Sequence, residues 1–89
     1  MATNNARVWD AYNQERPEEP NAVALPGLDA ADIAWEMAED IWSNIYAAEP
    51  VSQFKALVEM PDGRTWSVVL DVDWDPVFCA GETTEVKAP

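Results

Sequence analysis

The sequence predicts an α+β fold, with one main amphipathic helix packed on a small antiparallel sheet built around a C-terminal β-hairpin. Three observations carry this. From Leu28 to Glu49, Ala34, Trp35, Ala38, Ile41, Trp42 and Ile45 recur at three- and four-residue steps, the period of one helix face. Beyond Pro50 the period becomes two, in Gln53–Met60 and Thr65–Trp74, as in half-buried strands. Between those runs stands Pro61-Asp62-Gly63-Arg64, where proline suits an early turn position and glycine supplies a positive φ.

Taken in order, Met1–Arg16 reads as a short helix capped by Asn4 or Asn5, with Val8, Trp9 and Tyr12 on one face. Such a helix is too short to persist without docking, so residues 1–20 are expected to be partly ordered. Pro17-Glu18-Glu19-Pro20-Asn21 ends it as a stiff acidic connector. Ala22–Leu25 then reads as a brief edge strand closed by a turn at Pro26-Gly27. Asp29 fits the N-cap of the main helix, 28–49, and Asp32 the acid of a capping box. That helix should stop before Pro50.

Across the hairpin, 53–74, Phe54, Ala56, Val58 and Met60 share one face, as do Trp66, Val68, Leu70, Val72 and Trp74. The expected core is Trp35, Ile41, Trp42, Ile45, Trp66, Val68 and Leu70, with Trp35 and Trp42 meeting Trp66 and Trp74 between the layers. Val77-Phe78-Cys79 reads as a short strand or a segment tucked into the core, with Cys79 an apolar filler beside Phe78. Residues 80–89 read as a loose polar tail.

With 89 residues, the chain is long enough for one domain, 1–89, which buries only about 60–65% of its unfolded surface. Five Trp, two Phe and two Tyr help, since each aromatic buries roughly 150–250 Å². A hydrophobic content of 48% argues against an intrinsically disordered acidic chain. Seventeen acids against five bases give a net charge of −12, and the pI is near 4.1. That field opposes direct nucleic-acid binding and anionic membranes and favours cationic partners. The single cysteine, Cys79, allows no internal disulfide and points to a reducing compartment. The N-terminus has neither the basic start nor the apolar run of a signal peptide, and no stretch has the ~18 apolar residues of a membrane span. The expected location is the cytoplasm.

Catalytic chemistry finds little to work with. There is no histidine, which removes the commonest general base and the usual triads and zinc sites. Cys79 therefore lacks the partner a cysteine hydrolase needs. Paired carboxylates can hydrolyse glycosides, but nothing marks a pocket that would raise the pKa of one of them. Asp71, Asp73, Asp75 and Glu82 match positions 1, 3, 5 and 12 of an EF-hand loop, with apolar Phe78 at position 8. Position 6, however, is Pro76, where the loop needs glycine for its sharp turn. No metal, cofactor or catalytic residue is assigned.

The acids themselves are the candidate site. Asp32, Glu36, Glu39 and Asp40 line the polar side of the helix at steps of about 5–6 Å. Asp71 and Asp73, with Asp75, would share a strand face at about 6.5–7 Å. DNA phosphates are spaced on the same scale. A solvated helix face and an exposed strand face account for each row singly. They do not account for eight acids and no base between Pro17 and Phe54.

In length, charge, lack of histidine and lack of a catalytic motif, the chain resembles the small acidic inhibitors that phages deploy against host defence, including anti-CRISPR proteins and other DNA mimics. The resemblance implies a non-enzymatic protein that blocks a nucleic-acid-handling partner with a basic surface, and it carries over no residue roles. The alternative is an interaction module or complex subunit, homodimeric in one version, that binds through exposed aromatic residues and uses charge only for solubility. Salt separates the two, because acid-to-base recognition weakens steeply with ionic strength.

Overall fold

A computed structural model describes residues 5–25, 27–46, 51–73 and 77–86. One helix lies on a five-stranded antiparallel sheet, an α+β fold, as the sequence predicts. The strands are β1 (Asn5–Asp10), β2 (Ala22–Val23), β3 (Gln53–Glu59), β4 (Thr65–Asp73) and β5 (Val77–Val86), in the spatial order β2-β1-β3-β4-β5. The helix, α1, spans Ala30–Ile41 and runs on as a π-helical turn over Trp42–Tyr46.

The hairpin forms where the two-residue period placed it, with Phe54 opposite Leu70 and Val58 opposite Trp66. Gly63, at φ 91°, closes the turn. Its amide donates to the Met60 carbonyl at 2.9 Å, and the Asp62 carboxylate accepts from the Arg64 amide at 2.9 Å. Phe54, Ala56, Val58, Val68 and Leu70 are buried on the face that α1 covers. Gly27 (φ 92°) lies between Leu25 and Leu28, whose amide donates to the Leu25 carbonyl at 3.1 Å. Ala22–Val23 is an edge strand, as expected. Asp29 caps α1: its carboxylate accepts from the Asp32 amide at 2.9 Å, and the Asp32 carboxylate reaches back to the Asp29 amide.

Four expectations are corrected. Residues 5–10 are a strand paired to β3, with Val8 opposite Val58, and not a helix. Val8 therefore faces α1, Trp9 the other side of the sheet, and Tyr12 is 74% exposed. The long-range ladder overrides a local helical pattern too short to hold by itself. Residues 80–86 are not loose either: they complete the ten-residue β5, paired along β4. Cys79 is exposed on the face of the sheet away from α1. Phe78 instead joins an aromatic chain, with Trp42 at 6.2 Å and Phe54 at 6.4 Å, both edge-on, and Tyr46 tilted on Phe54 at 5.4 Å.

The fourth correction is the rotation of the helix. Its buried residues are Ala30, Ile33, Ala34, Ala38 and Ile41, while Trp35 is 54% exposed. Alanines at i, i+4 and i+8 meet a sheet face that carries Ala6 and Ala56. Small side chains on both layers let the backbones approach, and close packing leaves no room for an indole between them. Ile41, Val68 and Leu70 are in the core as predicted, and Trp42, Ile45 and Trp66 are partly buried against it. Several expectations lie outside the described residues: Asn4 as a cap, Pro26 in its turn, the helix end at 47–50, Trp74 in the core, Asp75 and Pro76 of the calcium pattern, and the last tail residues, 87–89.

Side chains take up some of the backbone groups at both edges of the sheet. Past the short β2, the Asn21 amide group bonds both the Val8 N–H (2.8 Å) and the Val8 carbonyl (2.7 Å), and Gln14 accepts from the Asp10 amide (2.8 Å). On the other edge, the Val72 amide donates to Ser52 on the β3 side. Val72 therefore cannot bond its β5 partner, Phe78, whose carbonyl points outward. The Trp35 indole N–H takes that carbonyl at 2.7 Å. Further along β5, Gly81 and Glu82 together oppose Val69, a β-bulge. A Cβ at Gly81 would come within 3.3 Å of the Val69 carbonyl.

Asp10, fully buried, ties β1 to the π-helical turn. One oxygen accepts from the Tyr12 and Asn13 amides (3.1 and 2.8 Å) and the other from the Tyr46 hydroxyl (2.7 Å). Burial first, and then this hydrogen bond, push the Tyr46 phenol up to about 12. A free tyrosine ionises near 10, so the fold favours the protonated phenol. That contribution is whole below about pH 10 and is lost as the pH rises towards 12. In chemical denaturation, the stability gap between the parent and Tyr46→Phe is expected to be constant below pH 10 and to close above it. A gap independent of pH up to 12 would show that the phenol is not held in this way.

Candidate functional site: the acidic face of the helix

The 100° step of an α-helix puts Asp32, Glu36, Glu39 and Asp40 opposite the Ile33–Ala38–Ile41 stripe. All four are exposed. Asp32 and Glu36, and Glu36 and Asp40, are i,i+4 neighbours of like charge, each pair costing a few tenths of a kcal/mol. Asp32 is accounted for by the capping box. Glu36, Glu39 and Asp40 have no hydrogen-bond or ion-pair partner among the described residues.

The described bases lie elsewhere. Arg7 and Lys55 alternate with the buried residues of β1 and β3 and so face away from α1. Arg7 and Arg16 both pair with Glu59, Arg16 through Nη2 at 2.9 Å, and Arg7 also donates to the Glu18 carbonyl at 3.1 Å. The Arg16 hydrogen bond holds the Glu59 carboxyl below its usual range, against the opposing effect of burial. Arg64, at the hairpin turn, reaches Glu85 at 4.0 Å. Glu59, behind the sheet, is thus neutralised by two arginines, Asp71 on that face bonds only a neutral amide, and Glu36, Glu39 and Asp40 on the helix have no described base.

The two predicted rows do not converge. Val68 and Leu70 point toward α1, so Asp71 and Asp73, which alternate with them, sit on the opposite face of the molecule. The Asp71 carboxylate there accepts from Gln53 Nε2 at 2.8 Å. As for the calcium pattern, Asp71 and Asp73 belong to one strand and Glu82 to the bulge of its neighbour. Among the described residues no cluster of three acids or other donors could hold a metal. Sequence reasoning missed Trp35 as a surface residue beside the acids. The alanine spacing at 30, 34 and 38 was the signal that could have revealed it.

A shallow groove of about 260 Å³ lies between Leu25, Leu28, Met60 and Pro61. Its titratable lining residue is Asp62, a turn residue committed to Arg64. Among the described residues no helix is long and apolar enough to cross a membrane.

The fold and surface together define a small α+β domain with one uncompensated acidic helix face. No family model, no curated protein and no solved structure matches the chain. The functional reading therefore rests on its own residues.

Proposed function

We propose that this chain is a small, non-enzymatic acidic inhibitor of the anti-CRISPR or anti-defence kind. It binds a nucleic-acid-handling protein through Asp32, Glu36, Glu39 and Asp40, and occupies the basic groove that nucleic acid would fill. It acts in the cytoplasm, host cytoplasm if phage-encoded, with no direct contact to nucleic acid or membrane. The observation that supports this is the segregation of charge. Glu36, Glu39 and Asp40 repel one another and have no described cation to relieve them, although bases stand elsewhere on the molecule. A surface kept acidic at a cost to the free domain serves a partner. Asp71 and Asp73 lie on the far face of the sheet and are left out of this interface.

Partner capture at low and high salt, followed by displacement of labelled DNA from the captured protein, tests the proposal. Capture that collapses at high salt, with DNA displaced competitively, is the expected result. Retention at high salt without displacement would sink it and favour the aromatic interaction module.

A further inference from the structure

We propose that Trp35 makes the acidic helix face selective for arginine, so that the partner engages it with a guanidinium rather than with any cation. This rests on the acidic-face reading and names the chemistry on the other side. Trp35 is 54% exposed, more than any other described tryptophan. Its one polar atom is already committed, to the Phe78 carbonyl at 2.7 Å, which fixes the indole plane. No other aromatic ring stacks on it among the described residues. Asp32 stands one helical turn before it and Glu39 one turn after, both exposed.

Two kinds of occupant can be weighed. An apolar surface laid on Trp35 would bury the flanking carboxylates without partners, at a cost that outweighs the gain from half an indole. A cation meets both needs. A guanidinium is planar, stacks on an aromatic face and still offers N–H donors to carboxylates at its rim. An ammonium is a compact, strongly hydrated point charge. Charge complementarity and the fixed indole therefore select arginine.

The test uses the full chain and two probes of equal charge, hexa-arginine and hexa-lysine peptides, titrated calorimetrically at low salt. The parent is expected to bind the arginine peptide more tightly. Trp35→Leu should reduce that advantage about two- to fivefold, the size of an exposed cation–π contact, and leave lysine-peptide affinity unchanged. Trp35→Phe, which keeps a ring, should retain most of it. Independently of any variant, the Trp35 indole signals of the parent should shift in NMR spectra with the arginine peptide and little with the lysine peptide. Equal binding of the two peptides, an arginine advantage undiminished in folded Trp35→Leu, or unmoved Trp35 signals would overturn the arginine assignment alone. Failure of both peptides to bind the parent would bring down the acidic-face reading with it.

Discussion

Ile33→Ala is expected to cost about 2–5 kcal/mol, the range for truncating a buried aliphatic residue. For 89 residues the whole stability is of order 4–13 kcal/mol, so this one change should unfold a large fraction of molecules near physiological temperature. Ile33 is 1% exposed and sits between the alanines that bring α1 onto the sheet, so the cavity cannot collapse easily. The informative comparison is Trp35→Ala. Half of that indole is already in water, and its hydrogen bond contributes about 1 kcal/mol, so its loss should cost about 1–2 kcal/mol in all. Urea denaturation followed by circular dichroism measures both. A larger loss at Trp35 than at Ile33 would mean that the helix is rotated from the face described.

The second large effect is on binding. Reversing Glu36, Glu39 and Asp40 together to lysine changes three charges by two units each, from a net −12 to −6. Any one exposed ion pair contributes only ~0–1 kcal/mol, so single reversals should weaken partner binding modestly. The triple variant replaces attraction by repulsion over one contiguous patch, where like-charge juxtaposition costs several kcal/mol. Affinity should fall about a hundredfold or more, each tenfold step being 1.4 kcal/mol. The melting temperature should hold or rise, because Asp32 then has a base at i+4 and the last turn of α1 gains cations near the negative end of its dipole. Asp71→Lys, on the far face, is the control and should change affinity little. A folded triple variant that binds like the parent, or an equal loss from Asp71→Lys, would refute the helix as the interface.

The pieces of the fold that were legible in the sequence are those fixed by neighbouring residues. The capping box of Asp29 and Asp32, the turn at Gly63 and the alternation of Phe54–Val58 with Val68–Leu70 are local, and each is found in place. What stayed hidden depends on distant partners. Asn5–Asp10 mixes Arg7 and Asp10 into a strand because Glu59 and Tyr46, far along the chain, satisfy those charges. β5 reads as a polar tail because its bulge breaks the two-residue period and its ladder is supplied entirely by β4. The helix period was clear, but it left two overlapping faces open. Hydrophobicity favoured the one with Trp35, and the close approach of the alanines decided for the one with Ile33. The helix acids were visible as a set. The separation of Asp71 and Asp73 from them followed from placing Val68 and Leu70 inward, a step that the sequence already allowed.

The amide of Asn21, the indole of Trp35 and the bulge at Gly81 each take away a place where a second chain could add a strand. Unprotected edges of this kind seed fibres as copies accumulate. On the function proposed above, the protein would work by occupying its target without turnover, so the fraction of target blocked would depend on how many copies are present. On that proposal, side chains that keep neighbouring copies from pairing would raise the dose a cell can carry before the excess becomes aggregate.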